Sequence, residues 1–269
     1  MVVIDSHVHI GLEGFLSEPI SEERKSRPAF QDRMENSIAR QIAAMDASSV
    51  DWAIVFGFPL KEVDRIQANG YVLDAYHTYP DRIIPFGLVG DDTEYWLQKG
   101  MMGFKQQNIL YAPERFDLIR AYQTMAEADV PMLIHFRASE GYSVPDQAKA
   151  ILRQVPNLKL MVAHMGRHTP NTSARVEEAL LGLADEAQVI FDTSTVRDPA
   201  IIARAIEIIG EERLVFGSDY PFNGYLGGDP LADELDIIEQ SKLPQPVKER
   251  ILGQNIIDYL GLTIGKEAQ

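Results

Sequence analysis

The sequence contains no cysteine, and that absence alone excludes several functional classes. Disulfide bonds, thiolate zinc ligands, iron–sulfur clusters and a cysteine nucleophile all need the missing side chain. Positive charge is also scarce, because 25 lysine and arginine residues face 40 aspartate and glutamate residues and leave a formal net charge of −15. Such a chain has no net positive field to gather phosphates, so we expect neither nucleic acid nor an anionic membrane surface as a partner.

Long hydrophobic runs are missing as well. No stretch approaches the ~18 consecutive apolar residues of a membrane-spanning helix. The chain begins with the strand-like segment Met1–Ile4 and not with a basic region followed by an apolar run, so we expect no secretion signal and predict a cytoplasmic protein.

With 269 residues, a single domain covering residues 1–269 can bury a large core without disulfides. Any metal must be held by nitrogen and oxygen atoms.

Short apolar segments typical of strands alternate with helical segments along the whole chain. Three of the helical segments have clear start signals, because Thr169-Pro170, Asp198-Pro199 and Asp229-Pro230 each place an N-cap residue before a proline suited to the first helical position. The predicted strands are Val2–His9, Trp52–Phe56, Ile83–Val89, Gly103–Gln107, Pro131–Phe136, Lys159–His164, Gln188–Asp192 and Arg213–Asp219.

Eight strand–helix units in about 250 residues are typical of one α/β architecture. We therefore predict a (β/α)8 TIM barrel, slightly distorted, with an additional C-terminal helix. A doubly wound open sheet is the alternative. No Gly-x-Gly-x-x-Gly turn follows any predicted strand, which removes the usual dinucleotide-binding reason for that alternative.

The first strand, within Ile4–Ile10, carries two histidines two positions apart. Side chains alternate between the faces of a strand, so Asp5, His7 and His9 are expected on one face and the residues between them on the other. Two imidazoles directed at one point form half of a zinc-type site. The alternative is a half-buried strand whose histidines pack or hydrogen-bond without a metal.

Polar residues at the ends of the other predicted strands complete a larger set. In TIM barrels the active site is built at the C-terminal ends of the strands. Four of the six histidines of the chain lie at such ends, where converging imidazoles without a ligand would repel one another or lack partners. The convergence predicts a metal site. The strand-end set is His7, His9, Lys105, His135, His164 and Asp219.

This set resembles the amidohydrolase superfamily, and within it the branch called amidohydrolase family 2, which includes the aminocarboxymuconate semialdehyde decarboxylases. The resemblance covers nearly the whole chain and rests on the order of the motifs on successive strands. Besides the strand-end set, the similar segments are Ala163–Gly166, Phe191–Ser194, Gly217–Pro221, Ile251–Asn255 and Leu260–Leu262.

The resemblance implies a divalent metal held by His7, His9, His135 and Asp219, with His164 beside it acting on the metal-bound water. Three neutral imidazoles and one carboxylate suit Zn²⁺, which lowers the pKa of bound water from ~16 toward ~7. Mn²⁺ or a second metal is the alternative. Asp219 is suited to take the proton and hand it to the leaving group, while His164 can orient the water or polarise a carbonyl.

The role of Lys105 is left open by the sequence. Binuclear members of the superfamily carry a carboxylated lysine on the fourth strand that bridges two metals, and His164 would then bind the second metal. In family 2 the lysine is more often followed by Leu-His-Pro, whereas Gln106-Gln107-Asn108 follows here. We expect one metal, with Lys105 as a cation facing a substrate carboxylate or the metal-bound water.

Four further residues are weaker candidates. Arg137 shares a strand face with His135 and is either a grip for an anionic substrate or an exposed loop arginine. His168, after the sixth strand, is either a substrate contact or a surface histidine. Asp192 is either an acceptor that orients a metal-bound histidine or a cap of the next turn. Asp5 is expected to make an orienting or structural hydrogen bond below His7.

The leading functional prediction is a metal-dependent hydrolase of a small carboxylated ester, lactone or amide. A metal-dependent, non-oxidative decarboxylase of an aromatic or unsaturated acid would need the same ligands and is the first alternative. The second is a catalytically inactive barrel that serves as a binding protein. The expected partner is a small, anionic molecule, and the sequence leaves open whether the chain forms a homo-oligomer.

Overall fold

A computed structural model describes residues 1–26, 35–107, 116–137, 142–167, 172–222 and 229–264. The predicted barrel is confirmed, since eight parallel strands follow one another in chain order around a single sheet. The strands are β1 Ile4–His9, β2 Trp52–Phe56, β3 Ile83–Leu88, β4 Gly103–Gln107, β5 Met132–His135, β6 Leu160–Val162, β7 Val189–Asp192 and β8 Leu214–Val215.

Helices follow the strands in regular alternation. Two of the predicted N-caps are confirmed, because Asp198 accepts a hydrogen bond from the Ala200 amide at 2.9 Å and Asp229 accepts one from Leu231 at 3.0 Å. The predicted cap at Thr169-Pro170 lies outside the described residues. The helices are α1 Glu22–Lys25, α2 Ile38–Ala47, α3 Arg65–Thr78, α4 Thr93–Gln98, α5 Phe116–Glu127, α6 Val144–Gln154, α7 Thr172–Gly182, α8 Pro199–Ile209, α9 Pro230–Gln240, α10 Gln245–Glu249 and α11 Asn255–Leu260.

Among the described residues, two large apolar clusters and a small one around Ile20 and Phe58 make up the core. One large cluster fills the barrel interior below the site and includes Ile4, Phe86, Leu133 and Val215. The other large cluster lies between the sheet and the surrounding helices. Strands buried on both faces need apolar side chains in both directions, which explains continuous runs such as the one in β5. Within the described ranges, the helices are too short or too polar to cross a bilayer.

The strict alternation expected along β1 is wrong. Ile4 packs in the interior cluster, whereas Val8 and Ile10 pack in the outer cluster between sheet and helices. The pairing register with β2 shifts between Asp5 and Val8, and such a bulge inserts one residue and reverses the side-chain pattern. As a result the strand can direct Ile4 into the apolar interior and still direct histidines into the mouth above it.

The barrel closes where β1 meets the segment after β8. β8 is shorter than the predicted Arg213–Asp219, because the chain leaves regular strand geometry after Val215. Backbone bonds nevertheless continue along β1: Ser6 donates to the carbonyl of Phe216, Asp219 donates to His7, and His9 donates to Tyr220, all at 2.9 Å. This seam sets the relative positions of the first and last polar segments of the barrel.

The C-terminal helices seal the bottom of the barrel against the N-terminus, and Gly253 is at their point of closest approach. A Cβ atom at this position would lie 2.1 Å from the Val2 carbonyl oxygen, far inside van der Waals contact. We expect Gly253→Ala to lower the free energy of unfolding by about 1–3 kcal/mol, because backbone must move to admit the methyl group.

Denaturant unfolding followed by circular dichroism measures this effect. Gly70→Ala is the matched control, since nothing lies within 4 Å of a Cβ built at Gly70 in α3. It should be neutral or stabilising by up to about 1 kcal/mol. Equal stabilities of the two variants would contradict the predicted close approach.

Candidate metal centre

Two histidines of β1 and an aspartate after β8 bring their polar atoms together at the barrel mouth. Asp219 Oδ1 lies 3.0 Å from His9 Nε2 and 3.3 Å from His7 Nε2. One donor atom from each of the three side chains falls within 4.8 Å of the others, a spacing that allows a shared cation. Both histidines are almost fully buried.

Asp219 reaches the site through an unusual turn. Its φ of 61° lies in the left-handed region, where an aspartate is strained by about 1–3 kcal/mol. The backbone bond from its amide to the His7 carbonyl holds the turn against β1. Burial would raise the pKa of this carboxyl, but the hydrogen bond with His9 and the nearby His164 and His7 rings outweigh burial and hold the pKa below its usual range. An anionic oxygen therefore faces the imidazoles.

Asp192, at the end of β7, fixes the orientation of His7. The His7 Nδ1–H group donates to Asp192 Oδ2 at 2.8 Å, which leaves Nε2 with its lone pair directed at Asp219 and Lys105. The other carboxylate oxygen accepts the backbone N–H of His164 at 2.9 Å. With both oxygens engaged by donors, Asp192 is placed to orient a histidine and not to bind a metal through a free oxygen.

His135 and His164 form a second pair next to the first. His135 Nδ1 and His164 Nε2 lie 3.1 Å apart, and the His164 ring stacks on His7 with centroids 4.9 Å apart. His135 is not in the group formed by His7, His9 and Asp219, so the described side chains bring together three of the four predicted ligands. His164 itself lies beyond β6, in a turn with φ of 56°, and not in the predicted strand Lys159–His164.

Burial keeps His9, His135 and His164 neutral. It lowers the pKa of His9 to about 4, and it lowers the pKa values of His135 and His164 well below the usual histidine value. The Arg137 guanidinium adds to the effect for His135, and the adjacent His135 ring opposes a charge on His164. Neutral imidazole has the free lone pair that a metal requires.

Lys105 is buried and directed into the site. Its Nζ lies 3.1 Å from His7 Nε2 and 5.0 Å from the Phe56 ring centroid. Burial lowers the pKa of the ammonium to about 8, against the opposing influence of Asp192 and Asp219. The lysine also lines a cavity of about 80 Å³ together with Leu88, Val89 and Gln107.

The weaker candidates have different positions. Asp5 accepts the backbone N–H groups of His7 at 3.0 Å and Ser218 at 2.9 Å, so it ties β1 to the segment after β8; burial raises its pKa to about 7. Arg137 has an exposed side chain close enough to lower the pKa of His135. His168 lies outside the described residues.

Sequence reasoning missed Phe56, Phe58 and Ser194 at this centre, whereas Phe222 lies in the segment after the eighth predicted strand whose aromatic residues are expected to be able to cover a ligand. Phe56, Phe58 and Phe222 surround the His9 ring at centroid distances of 4.7–5.5 Å and form an aromatic wall. Ser194 contacts His164 and Asp192. The aromatic residues follow strand ends and could have been found by that criterion; nothing in the spacing of Ser194 distinguishes it from a turn serine.

The donor set suits a divalent metal. His7 Nε2, His9 Nε2 and Asp219 Oδ1 are nitrogen and oxygen donors of the kind that Zn²⁺ and Mn²⁺ accept. His9 also has a buried Nδ1 with no hydrogen-bond partner among the described residues, so only one of its two ring nitrogens is hydrogen-bonded there. A divalent cation held at this point would bring the three donor atoms to a common partner in a site that excludes water.

Comparison with known proteins identifies the family. The family model described as Amidohydrolase matches residues 4–262, nearly the whole chain. The chain belongs to the amidohydrolase family. The resemblance that the strand-end set and the segments around it indicated is therefore confirmed.

Individual amidohydrolase relatives include both decarboxylases and a hydrolase. A 2-amino-3-carboxymuconate-6-semialdehyde decarboxylase from Dictyostelium discoideum is 28% identical over 131 residues, which cover 43% of this chain and 34% of that relative. The match thus spans about a third of the relative's length.

Two solved structures share the fold over 97% of this chain. A probable 2-pyrone-4,6-dicarboxylic acid hydrolase from Acinetobacter baumannii with bound citric acid has a TM-score of 0.75 and 18% identity over 100% of its length. A 5-carboxyvanillate decarboxylase from Novosphingobium aromaticivorans, complexed with manganese and 4-hydroxy-3-methoxy-5-nitrobenzoic acid, has a TM-score of 0.66 and 19% identity over 96%.

We expect the protein to bind about one equivalent of zinc or manganese, because the three clustered donors share a single point. His9→Asn should reduce the bound metal to less than about half an equivalent. Elemental analysis after dialysis against each metal measures the content. His77→Asn is the matched control, since His77 is exposed on α3.

Full metal content in His9→Asn would mean that the donors lie elsewhere. About two equivalents, with Lys105 carboxylated in intact-protein mass spectrometry, would replace the single-metal site by a binuclear one.

Proposed function

We propose that this amidohydrolase is a metal-dependent, non-oxidative decarboxylase of a small, planar, anionic acid. The observation that carries the proposal is a buried cation close to aromatic side chains: Lys105 lies beside His7 and Phe56, and Phe58 and Phe222 pack against His9. Aromatic side chains offer flat apolar surface to an aromatic or unsaturated substrate. A dry, apolar surrounding also favours loss of CO2 over attack by water. The decarboxylases among the relatives add weight to this choice.

In decarboxylation the bond between the substrate carbon and its carboxylate breaks, CO2 leaves with neither of the bonding electrons, and a proton replaces it on the carbon. A divalent metal, when bound at His7, His9 and Asp219, acts as a Lewis acid on a substrate oxygen. We assign to Lys105 the binding of anionic charge, because a buried ammonium is a strong partner for a carboxylate or a developing negative charge.

Asp219 is proposed to transfer the proton, and His164 is proposed to orient the substrate. Asp219 is ionised and hydrogen-bonded to His9, so we assign to it the transfer of a proton, taken up from solvent, to the carbon that CO2 leaves. His164 is neutral, and its Nε2 faces His135 in the centre of the site. We assign to it the orientation of the substrate, and His135 is proposed as the fourth metal ligand.

Hydrolysis of a carboxylated lactone, ester or amide is the second candidate. It needs the same donors, and the neutral His164 is equally suited to orient a water molecule. The hydrolase among the structural relatives favours it, since that protein shares the fold over its full length. The two functions differ in the pocket lining and not in the ligands.

A product assay separates the candidates. With manganese or zinc added, we expect CO2 from 5-carboxyvanillate, dihydroxybenzoates or carboxymuconate semialdehydes and no acid release from 2-pyrone-4,6-dicarboxylate. Asp219→Asn should fold normally by circular dichroism and lose nearly all turnover, because the amide cannot carry the proton.

Acid release from the lactone without CO2 would favour the hydrolase. Binding of these acids by the metal-loaded protein without any product would favour the binding protein. Substantial turnover by Asp219→Asn would remove the proposed proton carrier.

Lys105→Met tests the anion-binding role. Loss of a charge-assisted contact worth about 1.5–3 kcal/mol should raise KM for the acid by about tenfold or more. Steady-state kinetics across the acid panel measures the effect. Lys99→Met is the control, since Lys99 is an exposed residue after α4. An unchanged KM in Lys105→Met would show that the substrate anion binds elsewhere.

A further inference from the structure

Ser194 is a fully buried serine between the two histidine pairs of the site. Its Oγ lies 2.8 Å from His164 Nδ1 and is hydrogen-bonded to Asp192 Oδ1. The same oxygen is 3.3 Å from His7 Nδ1. A single hydroxyl thus contacts the side chain of His164, the carboxylate that orients His7, and the edge of His7 itself.

The hydrogen-bond donors and acceptors around Ser194 fix where each proton lies. Asp192 accepts from His7, from the His164 amide and from the Ser194 amide, and an ionised carboxylate only accepts. The hydroxyl proton of Ser194 must therefore point at Asp192. Its oxygen is then left to accept the proton of His164 Nδ1.

The backbone supports the same assignment. The Ser194 carbonyl oxygen lies 3.2 Å from His164 Nδ1, and a carbonyl can only accept. Two acceptors from one residue therefore face the same ring nitrogen. The Nδ1–H tautomer leaves the lone pair of His164 on Nε2, directed at His135.

We propose that Ser194 is a positioning residue that keeps the proton of His164 on Nδ1 and its Nε2 as an acceptor in the active site. Through Ser194 one carboxylate, Asp192, sets the tautomers of two histidines: His7 directly and His164 through the hydroxyl. The importance of the His164 tautomer for turnover rests on the proposed function, whereas the position of the proton does not.

An isosteric pair isolates the hydroxyl from the volume of the side chain. Ser194→Thr keeps the hydroxyl and Ser194→Val replaces it with a methyl group, while both add the same bulk at this buried position. Protein labelled with ¹⁵N-histidine, with and without zinc, reports which ring nitrogen is protonated through long-range ¹H–¹⁵N spectra. His164→Gln assigns the signal.

We expect the Nδ1–H pattern of His164 in the wild type and in Ser194→Thr. In Ser194→Val a fraction of the Nε2–H tautomer should appear, because only the longer contacts of Nδ1 with the Ser194 carbonyl, at 3.2 Å, and the Thr195 hydroxyl, at 3.4 Å, remain. For the acid that the wild type decarboxylates, kcat should fall about 10- to 100-fold in Ser194→Val with KM within about twofold. Ser194→Thr should recover most of the loss.

An Nε2–H tautomer in the wild type would overturn the proposal, and so would identical spectra and kcat values in the Thr and Val variants. If Ser194→Val does not fold, Ser194→Ala gives the same comparison without added bulk. Absence of turnover in the wild type would count against the proposed function alone, because the spectra still decide the tautomer. Ser241→Ala is the control for loss of a buried hydroxyl elsewhere, because the Ser241 hydroxyl donates a hydrogen bond to the Ile238 carbonyl in α9.

Discussion

The seam between β1 and the segment after β8 is the constraint on which the site depends. It joins the strand that carries His7 and His9 to the turn that carries Asp219, although the two are more than two hundred residues apart in the chain. Backbone bonds hold this seam, and Asp5 adds side-chain bonds to Ser218. Gly217 permits the approach, because a Cβ there would lie 3.0 Å from that of His7.

Burial away from water sets the protonation states of the clustered groups. Burial favours uncharged histidines, while a carboxylate surrounded by hydrogen-bond donors stays ionised even though burial alone would protonate it. The result is a group of neutral imidazoles beside the ionised Asp219, with the ammonium of Lys105 next to His7. Neutral imidazoles can offer a lone pair to a divalent cation, so the burial that keeps them uncharged also favours metal binding.

Much of this arrangement could be predicted from residue types and spacing. Alternating apolar strands and capped helices predicted the barrel, since that periodicity is local, and the location of active sites in barrels predicted which histidines converge. The bulge in β1 could not be predicted, because register depends on the pairing with β2. Nor could the left-handed turns at His164 and Asp219, where tertiary contacts offset a local strain that sequence preferences disfavour.

The reaction type is harder to predict from the sequence than the metal site, because the proposed decarboxylase and the alternative hydrolase would need the same donor residues. The proposed metal ligands would have to meet at one point whichever bond is broken. Their residue types and their order along the chain therefore identify the family. Under the proposed function, loss of CO2 and attack by water differ in the access of water to the substrate, and we assign that access to Phe58 and Phe222 beside His9. In this barrel the aromatic wall borders His9, while Ser194 and Asp192 contact His164 and His7. Under the two proposals, the side chains that bind the substrate are thus different from those that place the proton of His164.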